Sequence, residues 1–341
     1  MSINKSPIVT DFREWLRTQP VQKTSSTLLY DDMHSQSGES LSVIYQPFDA
    51  RKRGHWHDAG LIEDFLVTTG CRGGKVLDFG PGDGWPSLAL APFVQEVIGV
   101  DASSLRVAVC QENANRLGIG NARFVHYLAG ERLPFRDEEF DAVVAASSLE
   151  QCPDIPGILS ELHRVLKPGG RLRMAYESLS AYEGKKEIEI WLREGLDSFT
   201  GLLIYLRDIP NEKVEHVNLR LTLPYAAAVK LLGGDAEAIT LERILASKEA
   251  LQPYLAGICT YTLTHPGGES WIALLKEAGF STAQGTHNAG KLAVQLMQSL
   301  PSDEMGAVSL AQAQAAIAQT APFVSFLPAP IDEHPMILAV K

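Results

Sequence analysis

Chemistry in this chain concentrates at four places. The stretch Asp78-Phe79-Gly80-Pro81-Gly82-Asp83-Gly84 sets three glycines at alternate positions, directly after the apolar run that starts at Lys75. Glycine lets the backbone turn tightly and lets a ligand touch the main chain. Asp101 ends a second apolar run, Glu96-Val97-Ile98-Gly99-Val100, and lies 17 residues beyond Gly84. A carboxylate so placed can accept hydrogen bonds from both ribose hydroxyls of a nucleoside. Gly54-His55-Trp56-His57 offers two imidazoles, each able to act as a base or to orient a polar acceptor, although such a pair also serves packing alone. Glu150 follows the run Phe140 to Ala146, and Tyr176 with Glu177 closes the run that starts at Arg171. A carboxylate or phenol at a strand end can take a proton or pair with a cationic acceptor, or simply be solvated.

The elements that must hold these residues follow from the pattern. Apolar runs at Lys75 to Phe79, Glu96 to Asp101, Ala122 to Tyr127, Phe140 to Ala146 and Arg171 to Tyr176 read as strands. Between them lie helical patterns at Ser87 to Phe93, Leu105 to Leu117 and from Asp154 to Leu166, with a further helix at Ala59 to Thr68 ahead of the first run. Such alternation implies parallel βαβ units in a doubly wound sheet, whose ligands sit at the carboxyl ends of the strands. The N-terminal residues Ile8, Phe12, Trp15 and Leu16 fall at helical spacing, with Asp11 and Glu14 as a cap-like pair, and Lys23 to Ser42 reads as loop. Residues 180 to 265 break the alternation. There Val214 to Leu223 alternates apolar and polar residues as an exposed antiparallel strand does, and Ala226 to Leu232 and Leu241 to Leu251 read as helices. Helices at Trp271 to Ala278, Leu292 to Leu300 and Leu310 to Gln319, a strand from Phe280 and a closing strand at Met336 to Val340 complete the chain.

Composition narrows the function classes. With 30 Lys and Arg against 41 Asp and Glu among 341 residues, the net charge is −11, which argues against a broad nucleic-acid-binding surface. The four cysteines are far apart and form no Cys-x-x-Cys pair, so neither a zinc knuckle nor a disulfide framework is expected, and no metal is expected. No apolar stretch reaches the length of a membrane helix, and the first 15 residues lack the apolar region of a secretory signal. A cytoplasmic protein without a membrane partner is the expectation. The amphipathic N-terminal helix is suited to pack on a second subunit, which keeps a homodimer open.

The ordered motifs between Lys75 and Tyr176 carry a resemblance. Val76-Leu77-Asp78-Phe79-Gly80-Pro81-Gly82-Asp83-Gly84 resembles the first motif of class I S-adenosylmethionine-dependent methyltransferases, of the type 11-like kind. Its Gly-x-Gly-x-Gly spacing differs from the Gly-x-Gly-x-x-Gly of dinucleotide oxidoreductases. Val100-Asp101-Ala102-Ser103, Leu133-Pro134-Phe135 with Glu138-Glu139-Phe140-Asp141, and Arg164-Val165-Leu166-Lys167-Pro168-Gly169-Gly170 match later motifs of the family in order. The resemblance implies an α/β fold with a doubly wound, mostly parallel seven-stranded Rossmann-like sheet and an inserted cap region. It implies S-adenosyl-L-methionine as cofactor, with Asp78, Gly80, Pro81, Gly82 and Gly84 around its methionine part. Asp101 and Ala102 would meet the ribose, and Ser147 would line the site. The acid that relatives place near the adenine is missing, so the main chain of Ala129 and Gly130 or the carboxylate of Glu131 takes that position. A sulfonium favours aromatic faces, for which Trp85, Trp56, Tyr45 and Tyr176 are candidates. His55, His57, Glu150 and Tyr176 are the candidate catalytic groups. By this reading residues 1–57 cover the site, 58–179 bind the cofactor, 180–265 form the inserted cap or substrate region, and 266–341 close the core. The expected activity is methyl transfer to a small-molecule acceptor. A non-catalytic cofactor-binding or scaffold protein, and an NAD-dependent oxidoreductase, stand as the alternatives.

Overall fold

Apolar runs of five to seven residues separated by helix-length segments build a seven-stranded sheet in a computed structural model that describes residues 3–25, 46–194, 199–301, 305–330 and 335–341. Tyr45 and most of the stretch expected as loop, residues 26–45, lie outside the described residues. The first elements are α1 (Pro7–Thr18), β1 (Gln22–Thr24), α2 (Arg53–Thr69), β2 (Lys75–Phe79), α3 (Ser87–Leu90) and β3 (Glu96–Asp101). Next come α4 (Ser104–Leu117), β4 (Ala122–His126), β5 (Phe140–Ala146), α5 (Ile155–Val165) and β6 (Leu166–Ala175). The middle of the chain gives β7 (Ile188–Glu194), β8 (Thr200–Asp208), β9 (Lys213–Leu221), α6 (Tyr225–Leu231), α7 (Leu241–Ala246), α8 (Lys248–Leu251) and β10 (Leu255–Thr264). The last are α9 (Gly268–Glu277), β11 (Thr282–Gly285), α10 (Ala289–Ser299), α11 (Leu310–Val324) and β12 (Met336–Val340). They fall into two units: Met1–Asp32 with Ser178–Gly267, and Met33–Glu177 with Gly268–Lys341.

In the larger unit the strand order is β11-β12-β6-β5-β2-β3-β4. Strands β2 to β6 are parallel, and only β12 runs against its neighbours β6 and β11. The chain winds outward from β2 through β3 and β4, then returns to β5 on the other side. That reversal places a crevice above the carboxyl ends of β2 and β5. The central strands β2, β3 and β5 are buried on both faces, as parallel strands are. On one face Leu77, Phe79, Val143 and Leu172 pack with Leu159 and Leu162 of α5 and with Trp271 of α9. On the other Val76, Ala142 and Val144 pack with Ile62, Phe65 and Leu66 of α2. Helix α2 is fastened by a fully buried ion pair, in which Arg173 Nε of β6 donates to Asp64 Oδ1 at 2.6 Å. Asp64 Oδ2 also accepts from the Ala289 amide (2.9 Å) and the Ser325 hydroxyl (2.8 Å), so α10 and α11 share the anchor.

The smaller unit is a five-stranded sheet in the order β1-β10-β9-β8-β7, antiparallel except where β1 joins β10. Val9, Phe12 and Leu16 of α1 cover one face, against Leu202, Ile204, Val217 and Leu219. On the opposite face Tyr205, His216 and Tyr261 lie side by side across three strands, with His216 stacked on Tyr261 at 4.7 Å and meeting the edge of Tyr205 at 5.0 Å.

Several expectations change. Helix α1 takes Ser6 as its N-cap position, so Asp11 and Glu14 lie inside it rather than capping it. Its apolar face is buried within its own chain, which removes the sequence ground for a homodimer. Helix α2 starts at Arg53, six residues before Ala59, so His55, Trp56 and His57 belong to its first two turns and not to a preceding loop. Strand β9 is mostly buried rather than exposed, because its polar residues His216 and Asn218 are enclosed along with its apolar ones. Residues 1–57, taken as one segment, divide in the structure: α1 and β1 join the strands of residues 178–267, whereas α2 belongs to the larger unit.

Candidate functional site

The loop after β2 turns through three left-handed glycines, with φ of 71° at Gly80, 60° at Gly82 and 119° at Gly84, a backbone region that side chains other than glycine seldom adopt. Gly80 is also enclosed: a Cβ there would stand 2.4 Å from Ser148 Cβ. Gly82 faces open space, with nothing within 4 Å of a Cβ. Helix α4 holds the loop from behind, through Cys110 Sγ donating to Gly82 O at 3.2 Å and Asn113 Nδ2 donating to Asp83 O at 2.8 Å. The Ser148 hydroxyl ties the loop's base to the segment after β5 by donating to Phe79 O at 2.5 Å.

Two buried carboxylates stand at the ends of neighbouring strands. Asp78 is completely buried, and its Oδ2 accepts from the amide (3.0 Å) and hydroxyl (2.6 Å) of Ser87. Its Oδ1 is buried with no hydrogen-bond partner among the described residues. Burial pushes the Asp78 carboxyl up to about 7, against the two Ser87 hydrogen bonds, and the charge of Asp101 adds to the rise. Asp101 accepts from the Ser103 amide at 2.9 Å. Burial raises its pKa too, opposed by the amides of Ser103, Gly82 and Ala102 and by the Arg106 guanidinium. An unsatisfied buried carboxylate oxygen suits a cationic hydrogen-bond donor, because such a group restores both charge and bonding. The Trp85 indole N–H, also buried, lacks a partner among the described residues as well, and its ring meets Phe65 of α2 edge-on at 6.2 Å.

Beyond β4, Ala129, Gly130 and Glu131 form a turn in which the Glu131 amide donates to Leu128 O at 3.0 Å and Gly130 has φ 87°. Gly130 and Glu131 line a cavity of about 260 Å³ with Tyr127, Cys152 and Asp154. Cys152 is kept a thiol there, since burial and then the Glu150 charge raise it to about 12. Ser147 is exposed after β5 in a left-handed conformation (φ 53°), with its amide donating to Ala175 O at 3.0 Å. Ala102, half-buried after β3, presents its carbonyl to His126 Nε2 at 3.1 Å.

The four candidate catalytic groups part company. His55 is buried, and its Nδ1 accepts the Asp49 amide at 2.8 Å. The ring proton of the neutral imidazole is thereby assigned to Nε2, which leaves no free lone pair for a base. His57 packs against Gly290 of α10, and burial, Arg53 and Lys291 lower its pKa. Glu150 is buried and accepts the Glu177 amide at 2.9 Å, so it joins the segments after β5 and β6. Tyr176 is buried with its ring 6.4 Å from that of Trp271. Ser87, Ser148, Cys110 and Asn113 went unread in the sequence: each acts through a partner distant in the chain or across a turn, which spacing does not disclose.

The comparisons follow this geometry. A family model described as a methyltransferase domain matches residues 77–174. The chain is 40% identical over 115 residues to an uncharacterized methyltransferase, YcgJ, of Bacillus subtilis, a match covering 33% of this chain and 44% of that one. It is 30% identical over 225 residues to a demethylmenaquinone methyltransferase of Bacillus cytotoxicus, covering 59% of this chain and 94% of the relative. The crystal structure of YcgJ aligns with a TM-score of 0.33 at 37% identity, over 36% of this chain and 51% of that one. The chain therefore spans about half the length of YcgJ and nearly all of the demethylmenaquinone methyltransferase. It belongs to the class I S-adenosylmethionine-dependent methyltransferases.

Proposed function

We propose that this chain moves a methyl group from S-adenosylmethionine to a small-molecule acceptor. The observation that carries the reading is the pair of buried carboxylates, Asp78 with an unsatisfied oxygen and Asp101 on the adjacent strand, beside a glycine loop at the point where the sheet order reverses. When bound, the cofactor supplies a methyl group already activated on a sulfonium. The chain's work is then to bind, orient and exclude water.

Asp78 Oδ1 would take the ammonium of the amino-acid end, with Gly80, Pro81, Gly82 and Gly84 along it. Asp101 would accept from the ribose hydroxyls beside Ala102. Ala129, Gly130, Glu131 and Ser147 would border the adenine side, and Trp85 would offer a ring to the positive centre. A base is required only for an acceptor that arrives protonated, and we assign that role to Tyr176 or Glu177, just after β6. Residues 178–267 we assign as the substrate region. Among the described residues no helix is long and apolar enough to cross a membrane.

Calorimetric titration with S-adenosylmethionine, S-adenosylhomocysteine and NAD tests the cofactor. Binding of the first two and not the third is expected. Asp101→Ala should weaken it about tenfold or more, given the usual worth of a hydrogen bond to a charged group. Release of S-adenosylhomocysteine over a metabolite panel tests turnover, and demethylated quinones open that panel because one relative is a demethylmenaquinone methyltransferase. No binding by folded protein, or binding without turnover on any acceptor, would remove the proposed activity.

A further inference from the structure

Helix α2 carries an imidazole that its own surroundings leave half used. His55 is 2% exposed, its Nδ1 is occupied by the Asp49 amide, and its Nε2 has no hydrogen-bond partner among the described residues. With Nδ1 accepting, Nε2 bears the proton and can only donate. Burial, with the Lys52 charge next in size, holds the ring below its ordinary pKa and keeps it neutral, against the weaker pull of Asp49.

The register of α2 shows where that donor lies. Arg171 donates to Thr68 O and Arg173 to Asp64, so the helix runs against β6. Asp64 to His55 is roughly 13 Å of helix at ~1.5 Å per residue. Arg173 to Ala175 is only about 7 Å of strand. His55 therefore stands beyond the carboxyl end of β6, at the level of the crevice. It also falls in line with Ala59, Ile62 and Leu66, at spacings of four, seven and eleven residues. That stripe faces the sheet, since Ile62 and Leu66 pack with Val76 and Val144. Asp78, two residues beyond Val76 in the same strand, lies on that same face of the sheet.

The electrical setting is positive. His55 lies in the first turn of a 17-residue helix that has no acid in that turn and no side-chain cap, with Lys52 preceding it. A helix N-terminus of this kind favours an anion, and the buried Nε2–H supplies an independent donor for one. The same face of the sheet offers Asp78 to an ammonium.

We propose that His55 is a binding residue whose Nε2–H holds the α-carboxylate of the methyl donor, while Asp78 holds its ammonium. This rests on the S-adenosylmethionine reading above and replaces a base with a fixed anchor. The alternative source of a carboxylate is an acidic methyl acceptor, and the ligands chosen below separate the two.

The test crosses two donors with two variants. S-adenosylmethionine and its decarboxylated analogue differ by the carboxylate alone. His55→Asn keeps an oxygen able to accept the Asp49 amide but removes the distal donor, whereas His55→Gln keeps a distal N–H. The expected result is a loss of about tenfold or more in affinity for S-adenosylmethionine in His55→Asn, with the decarboxylated analogue changed less than about twofold and His55→Gln restoring most of the loss. Equal weakening of both donors, or of neither, overturns the proposal. Should His55→Asn unfold, histidine ¹⁵N spectra of the parent protein decide instead. The Nε2 resonance of His55 must report a protonated nitrogen and move with S-adenosylmethionine but not with the decarboxylated analogue. A parent that binds neither donor overturns the cofactor reading itself, and that is visible before any variant is made.

Discussion

Asp78 combines complete burial, one satisfied oxygen and one unsatisfied oxygen, and this makes its charge sensitive to pH. Its pKa lies near 7 in the folded protein against 3.8 for an ordinary aspartate. The folded state thus holds a proton that the unfolded state has released, so this group lowers stability progressively as pH rises from about 4 to 7. Asp78→Asn should flatten that part of the stability profile, which thermal melts of the ligand-free protein across that range can check. Donor affinity should move the opposite way, strengthening as pH rises through 7 and Asp78 ionises; a flat calorimetric pH profile would contradict this. Two glycines in the same loop should respond differently. Gly80→Ala forces a Cβ onto Ser148 in a left-handed backbone and should unfold or strongly destabilise the protein. Gly82→Ala meets open space, so about 1–2 kcal/mol of backbone strain is expected, with a larger loss of donor binding than of thermal stability.

At the scale of elements, the sheet of the larger unit was legible because its signals are local. Val76-Leu77 and Val143-Val144 are apolar runs of strand length bounded by turns, and Gly118 marks the end of α4 where it was read. Helix α2 was read six residues short because Gly54 interrupts the pattern and its first turn offers no capping side chain. The Asp64–Arg173 anchor could not be read at all. Two charges 109 residues apart look like surface groups until the fold buries both, and the amide of Ala289, the hydroxyls of Ser325 and Thr286 and the carbonyl of His287 complete their bonding. Breaking one partner leaves the other charged and enclosed, so Asp64→Ala should cost about 3–5 kcal/mol in urea unfolding. A cost under about 1 kcal/mol would mean that water reaches Arg173.

At the scale of the whole chain, the motifs spoke for residues 75 to 176 and fell silent over the smaller unit. Strands β7, β8 and β10 escaped notice because Leu202-Leu203-Ile204 is as apolar as a buried helix, and pairing between strands is not written in either one. Within that sheet the stacked rings of His216 and Tyr261 should be worth about 1 kcal/mol beyond their buried area, so Tyr261→Ala should lower the unfolding free energy by at least that much, which urea unfolding can read. The smaller unit also has a history imposed by the order of synthesis. Helix α1 ends at Thr18, but the first strand that shares its core, β7, begins at Ile188. At ~5–20 residues per second a ribosome needs roughly 10–40 s to bridge that gap. Throughout that interval the nascent chain shows Val9, Phe12 and Leu16 to the cell before the strands that share their core exist, so chaperone traffic should gather on this helix.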